Sequence, residues 1–298
     1  MPEGDTLYRT ATVLREVLLG RPVTAARGRP GGPPLGRLVG RPVLAVEARG
    51  KHLLIGFGAA AGRPALTLHT HLQMRGSWHR YRPDEPWRRS AQRAVAVLEV
   101  GGAVAVCFDA PTVELLETRA LAIHPVLRAL GPDLLAPEPD LAAAAQRLAH
   151  PARSNVPVGD ALLDQTALAG LGNVYRSEVC FIERVDPWTP LGDLAPEALE
   201  RLVATGAGLL LANRDDPRRT TMPDVLGGPP GSEGPRPHGG RLWVYGRAGR
   251  PCRRCGASIR SASSGPLVRR VYWCPRCQAP VAGRADRPGG PPTDSQRD

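Results

Sequence analysis

Two C-x2-C knuckles, Cys252-Arg-Arg-Cys255 and Cys274-Pro-Arg-Cys277, stand 18 residues apart near the end of this 298-residue chain. Four thiolates in two such pairs can close a tetrahedral Zn2+ site, and a spacer of this length suits a β-hairpin between them. A closed four-cysteine set leaves no open coordination position, so one structural Zn2+ is expected rather than a catalytic one. A module of about 40 residues cannot fold on apolar burial alone, and the ion supplies the missing free energy. Arg253, Arg254, Arg260, Arg269, Arg270 and Arg276 make the module basic, which suits a hairpin that grips phosphate. The remaining cysteines, Cys107 and Cys180, lie in apolar strings and read as buried thiols.

The basic residues comprise 38 arginines and one lysine, Lys51, within a formal net charge of +11. That balance points to a polyanionic partner, because each neutralised phosphate releases condensed counterions. A chain that takes Arg almost everywhere yet keeps one deprotonatable amine marks Lys51 as a candidate functional residue. No apolar run reaches 18 residues, so no membrane span and no membrane partner are expected. The N-terminus shows no apolar leader pattern, and six cysteines without one argue for a reducing, cytoplasmic compartment.

Leu7, Val13, Leu14, Val17 and Leu18 recur at helical spacing between Thr6 and Gly20. From about 38 to 108 the chain alternates short apolar runs with Gly, Pro and charge. Val43–Val46, Leu53–Phe57, Leu66–Leu68, Ala94–Val100 and Val104–Phe108 read as strands of an antiparallel sandwich or barrel. After His124-Pro125 the texture turns helical, over 141–148, 162–171, 173–181 and 196–211. The expected organisation is multidomain α+β. It comprises a β-sandwich (1–125), a helical domain (126–222), a Gly/Pro-rich linker (223–240), a zinc finger (241–280) and a disordered tail (281–298).

Two further segments carry chemistry. Once the initiator methionine is trimmed, the chain starts at Pro2, whose free secondary amine can attack a sugar aldehyde and form an iminium. Glu3 places a carboxyl beside it. Further on, an expected apolar helix runs to Gly170-Leu171-Gly172, and a new helix starts at Asn173, whose N-terminal N–H groups can hold a phosphate.

Met1-Pro-Glu-Gly4, Arg49-Gly-Lys51, Gly170-Leu-Gly-Asn173 and the cysteine module closing on Trp273-Cys-Pro-Arg-Cys-Gln278 together resemble the formamidopyrimidine-DNA glycosylase/endonuclease VIII family. The match runs in order over nearly the whole chain. The resemblance implies an N-terminal β-sandwich, a helix–two-turn–helix domain and a zinc-finger β-hairpin, with damaged DNA between the two halves. It implies a bifunctional DNA glycosylase and abasic-site lyase of base excision repair, working as a monomer and associated with the nucleoid when on DNA. By that resemblance Pro2 is the Schiff-base nucleophile and Glu3 the general acid that opens the sugar. Lys51 contacts the phosphate beside the lesion and donates a proton in β-elimination. Arg269 contacts phosphate and aids δ-elimination, and Asn173 holds phosphate. A base in a duplex must be flipped out before it can be reached. The stretch His69 to Trp78 resembles the family's void-filling loop, with Met74 as wedge, Gln73 and Arg75 beside it, and His71 on a phosphate. Glu178 matches an acidic residue of the helical motif.

The sequence also departs from the family. Thr6 stands where a second N-terminal acid is common. The arginine of the segment before Gly-Pro-Asp is out of register at Arg128. Phe108 to Glu117 lacks the arginine- and phenylalanine-containing loop of the purine-lesion branch, which favours the endonuclease VIII branch and oxidised pyrimidines. The competing expectations are a purine-directed enzyme and a DNA-binding zinc protein without chemistry.

Overall fold

The computed structural model describes residues 2–60, 62–222, 241–266 and 268–279; the linker expected at 223–240 and the tail at 281–298 lie outside the described residues. The chain divides into two compact units, Met1–Leu130 and Gly131–Asp298.

The first unit opens with helix α1 (Gly4–Leu18), which buries Leu7, Ala11, Leu14 and Leu18 at helical spacing. The strands that follow are β1 (Val23–Gly28), β2 (Val43–Arg49), β3 (His52–Phe57), β4 (Leu66–His71), β5 (Ser77–Tyr81), β6 (Ala94–Val100), β7 (Ala103–Phe108) and β8 (Thr112–Glu117). They form two antiparallel sheets, ordered β1-β6-β7-β5 and β2-β3-β4-β8. Alternate residues face inward, so Leu53 and Ile55 of one sheet meet Leu98, Ala105 and Cys107 of the other, and α1 closes the core with Leu7 and Leu14. A short helix α2 (Pro125–Ala129) ends the unit, with Pro125 at its first turn and His124 capping it through its ring.

The second unit contains α3 (Leu141–Leu148), α4 (Val158–Ala161), α5 (Asn173–Ile182), α6 (Pro196–Ala212) and a hairpin of β9 (Arg260–Ser264) and β10 (Arg269–Trp273). Its core joins Leu148 of α3, Tyr175 and Val179 of α5, and Leu199, Leu202, Val203 and Leu210 of α6. A separate cluster of Phe181, Val244, Ile259, Cys252 and Cys274 lies under the cysteine module. Sandwich, helical domain and cysteine hairpin are thus all present.

One expected element takes another form. Residues 162–171 do not make a helix: α4, a single turn, precedes them, and turns carry the chain to Gly172. Side chains there compete for the backbone. Asp164 accepts from the Thr166 N–H at 2.9 Å, while Gln165 donates to the carbonyls of Leu163 and Leu171 and accepts from the Gly170 N–H. No helix among the described residues is long and apolar enough to cross a membrane.

Candidate functional site

Glu3 is fully buried at the cap position of α1, its carbonyl accepting the N–H groups of Thr6 and Leu7 at 2.9 and 3.1 Å. Pro2, immediately outside the helix, is half-buried. The Thr6 hydroxyl donates to Asp5 Oδ1 at 3.4 Å, and Asp5 is itself fully buried and paired with Arg9 at 3.3 Å. A second carboxylate therefore occupies this turn, one position earlier than the family pattern puts it.

Lys51 stands at the tip of the β2–β3 hairpin, whose reversal depends on Gly50 at φ 57°. The next residue, His52, pairs in register with His71 at the end of β4. Backbone pairing thereby brings Lys51 and His71 to one end of the sheet. The chain then turns through Leu72–Gly76, closed by Gly76 N–H donating to the Leu72 carbonyl at 2.9 Å. Any side chain at Gly76 would put its Cβ 2.6 Å from that oxygen, so the turn requires glycine. Gln73 takes φ 47°, and Met74 is held out with 59% of its surface exposed. An apolar side chain displayed by a tight turn is the shape that a stacking wedge needs.

Beside this end, on the outward face of the second sheet, runs a chain of polar groups. His52 Nδ1 lies 2.8 Å from His69 Nε2, and His69 Nδ1 lies 2.7 Å from Glu114 Oε2. That oxygen also meets His124 Nε2 at 3.2 Å. Burial, then the neighbouring His71, His69, His124 and Lys51, pulls the His52 pKa down to about 3. Burial also depresses His69, against the opposing pull of Glu114. For Glu114 burial acts upward, but His69 and His124 outweigh it and hold the carboxyl below its ordinary range.

In the second unit, Asn173 begins α5 and its side-chain amide donates to the Arg270 carbonyl at 3.0 Å. Arg176, fully buried, donates to the Arg269 carbonyl at 2.7 Å and pairs with Asp160 at 3.0 Å. The start of α5 and the start of β10 are thereby locked together, which brings Asn173 and Arg269 into one neighbourhood. Asn173 is thus a joint to the hairpin as well as a candidate phosphate ligand. Glu178 serves the fold: fully buried, it accepts the N–H groups of Trp243, Val244 and Tyr245 at 2.8, 2.9 and 2.8 Å, and the Thr221 hydroxyl.

The four module cysteines converge, with Cys252–Cys277 and Cys255–Cys274 Sγ separations of 3.8 and 3.4 Å. A tetrahedral Zn2+ with Zn–S bonds near 2.3 Å sets its sulfurs about 3.8 Å apart, so donor set and spacing fit that ion. Cys107 and Cys180 are fully buried, and burial pushes the thiol of Cys180 up to about 12.

Family models match both units: the formamidopyrimidine-DNA glycosylase N-terminal domain over residues 1–112, and the formamidopyrimidine-DNA glycosylase H2TH domain over 130–213. The chain is also 43% identical to a probable endonuclease 8 2 of Streptomyces coelicolor, over 97% of each chain. It belongs to the formamidopyrimidine-DNA glycosylase/endonuclease VIII family. Identity is 38% to the DNA-(apurinic or apyrimidinic site) lyase Nei2 of Mycolicibacterium smegmatis, over 93% of this chain and 99% of that one. The fold matches Lactococcus lactis Fpg solved with DNA containing an oxidised pyrimidine, at TM-score 0.75 and 22% identity, over 94% of this chain and 100% of that one. As a member of this family the protein is a DNA-binding DNA glycosylase and abasic-site lyase of base excision repair.

In this family member, sequence motifs point to Lys51 and His71 but not to His52, His69, Glu114 or His124. A signal is present all the same. Four of the seven histidines fall at 52, 69, 71 and 124, and His69 and His71 sit at period two in a strand, facing the same way. Strand register brings Glu114 opposite His69, and His124 joins them from the cap of α2 through its bond to Glu114.

Proposed function

We propose that the protein removes oxidised pyrimidines and nicks the strand by β,δ-elimination through an iminium at Pro2. The carrying observation is a buried side chain, Glu3, at the cap position of α1 and next in sequence to the residue that becomes the amino terminus. The free Pro2 amine attacks C1′, and the damaged base leaves as the C1′–N bond to it breaks, taking up the proton that the amine gives up. Glu3 gives its proton to the ring oxygen as the C1′–O4′ bond breaks, leaving the iminium. Loss of a C2′ proton then expels the 3′-phosphate, and a second elimination expels the 5′-phosphate. Lys51 and Arg269 act on the phosphates and on proton transfer. Asn173 and the α5 N-terminus hold the backbone, as does His71. Met74, with Gln73 and Arg75, fills the gap left by the flipped nucleotide. Cys252, Cys255, Cys274 and Cys277 would hold one structural Zn2+, which supplies folding free energy to the hairpin that carries Arg269.

Two features support the pyrimidine preference. Relatives at 43% and 39% identity are endonuclease 8 proteins. In addition, β7 ends at Phe108 and β8 begins at Thr112, leaving a three-residue connection where the purine-lesion branch carries its loop. The test is paired cleavage of duplexes bearing thymine glycol or 8-oxoguanine, with end-group analysis. Faster thymine glycol cleavage and phosphate at both ends of the gap are expected; faster 8-oxoguanine cleavage, or a 3′ unsaturated aldehyde as final product, contradicts the proposal. Glu3→Gln should lower excision by about 10²–10⁴-fold, and excision at the wild-type rate would remove Glu3 from the mechanism.

A further inference from the structure

Three imidazoles and one carboxylate on the outward face of the second sheet are bonded so that the position of every ring proton is fixed. Leu127 N–H caps α2 by donating to His124 Nδ1 at 3.2 Å, so that nitrogen keeps its lone pair and the ring proton sits on Nε2. His124 Nε2–H therefore donates to Glu114 Oε2 at 3.2 Å. The same oxygen accepts from His69 Nδ1–H at 2.7 Å, which leaves His69 Nε2 bare. His52 Nδ1, 2.8 Å from that nitrogen, must then be the donor, and His52 Nε2 must be bare. The chain has a direction: Glu114 sets the tautomer of His69, which sets that of His52. His69, Glu114 and His124 also place three donor atoms within 4.8 Å of one another, as a metal site would. A metal there would need the His124 Nε2 lone pair, which the helix cap denies.

We propose that Glu114, His69 and His52 are positioning residues for the lyase reaction, fixing a neutral His52 with a bare Nε2 beside Lys51 and His71. The inference rests on the proposed role of Lys51 and His71 at the DNA phosphate. His52 is 6% exposed, follows Lys51 in the chain, and packs its ring against His71 with centroids 4.6 Å apart. A neutral ring in that place orients His71 without adding a cation that would repel Lys51. It also leaves His52 Nε2 as an acceptor, backed by a carboxylate two hydrogen bonds along the relay. The other titratable groups facing His52 are His69, Glu114 and His124, with Glu47 and Arg49 on the same face of β2.

The relay is read directly, without any variant, by long-range 1H–15N NMR of the full-length zinc-loaded protein at pH 7. His52 and His69 should carry the proton on Nδ1 and His124 on Nε2; Nε2–H at His52 or His69 overturns the relay. Its role is read from single-turnover cleavage of abasic DNA by E114Q, H69Q and E114D. E114Q and H69Q should lose at least about tenfold in rate, with DNA affinity held within about twofold and the alkaline limb of the pH–rate profile moved to lower pH. E114D should recover most of the rate. Wild-type rate and profile in folded E114Q and H69Q, or an E114D as slow as E114Q, would overturn the positioning role. If wild-type protein fails to trap on abasic DNA with borohydride, the Pro2 reading fails instead, and the NMR arm still decides the relay.

Discussion

His52 shows how burial turns an ordinary titratable residue into a fixed acceptor, and the effect has a measurable acid signature. Its pKa of about 3 lies below the ordinary histidine value of 6.5, so the unfolded chain takes up a proton that the folded protein refuses. Stability from a neutral His52 is fully present above pH 6.5 and is lost as pH falls from there towards 3. At pH 5 the loss is about 2 kcal/mol. Urea unfolding between pH 7 and 5 should show a steep fall in wild type and a shallower one in His52→Gln; equal slopes would show that His52 does not titrate on unfolding. The residue scale is also where the sequence is most uneven. Pro2, Glu3 and Lys51 stand out because each is a chemically unusual choice at its position. His52 and His69 do not, because a histidine inside an apolar strand looks like any half-buried polar residue until cross-strand register puts Glu114 opposite His69.

Among the elements, α5 ties the hairpin to the helical core, since Asn173, Arg176 and Ser177 all bond to β10 and Glu178 gathers three consecutive N–H groups of residues 243–245. Glu178→Gln keeps the shape but turns a donor group towards backbone donors. It should cost about 1–3 kcal/mol in urea unfolding, and a change within about 0.5 kcal/mol would show that Glu178 is dispensable to the clamp. Helices α3, α5 and α6 are legible in the sequence because each carries a long apolar stripe, and α3 also has a defined start, Asp140 accepting from the Ala143 N–H at 2.8 Å. Strands β1, β5 and β8 are not, for a physical reason: each lies at the edge of its sheet, where half-exposed residues such as Thr112–Glu117 blur the alternation that marks a strand. The segment 162–171 misleads in the opposite sense. Its leucines repeat like a helix, yet Asp164 and Gln165 commit their side chains to the local backbone and hold it as turns.

At the scale of the whole molecule, a chain of net charge +11 should bind DNA mainly through phosphates. Each contact contributes about 0.9 to the slope of log affinity against log salt, so a slope of about 4 or more is expected for a glycosylase gripping several phosphates. A flat salt response in a binding titration would place the affinity elsewhere. Charge cannot distinguish an enzyme from a binding protein built on the same scaffold; only the amino terminus can. The deciding measurement is borohydride trapping on an abasic-site oligonucleotide, comparing the free N-terminus with a form in which Met1 is retained. A covalent adduct from the free Pro2 form alone is the expected result. No adduct from folded protein with a free Pro2, or equal trapping by the blocked form, would contradict the Pro2 iminium.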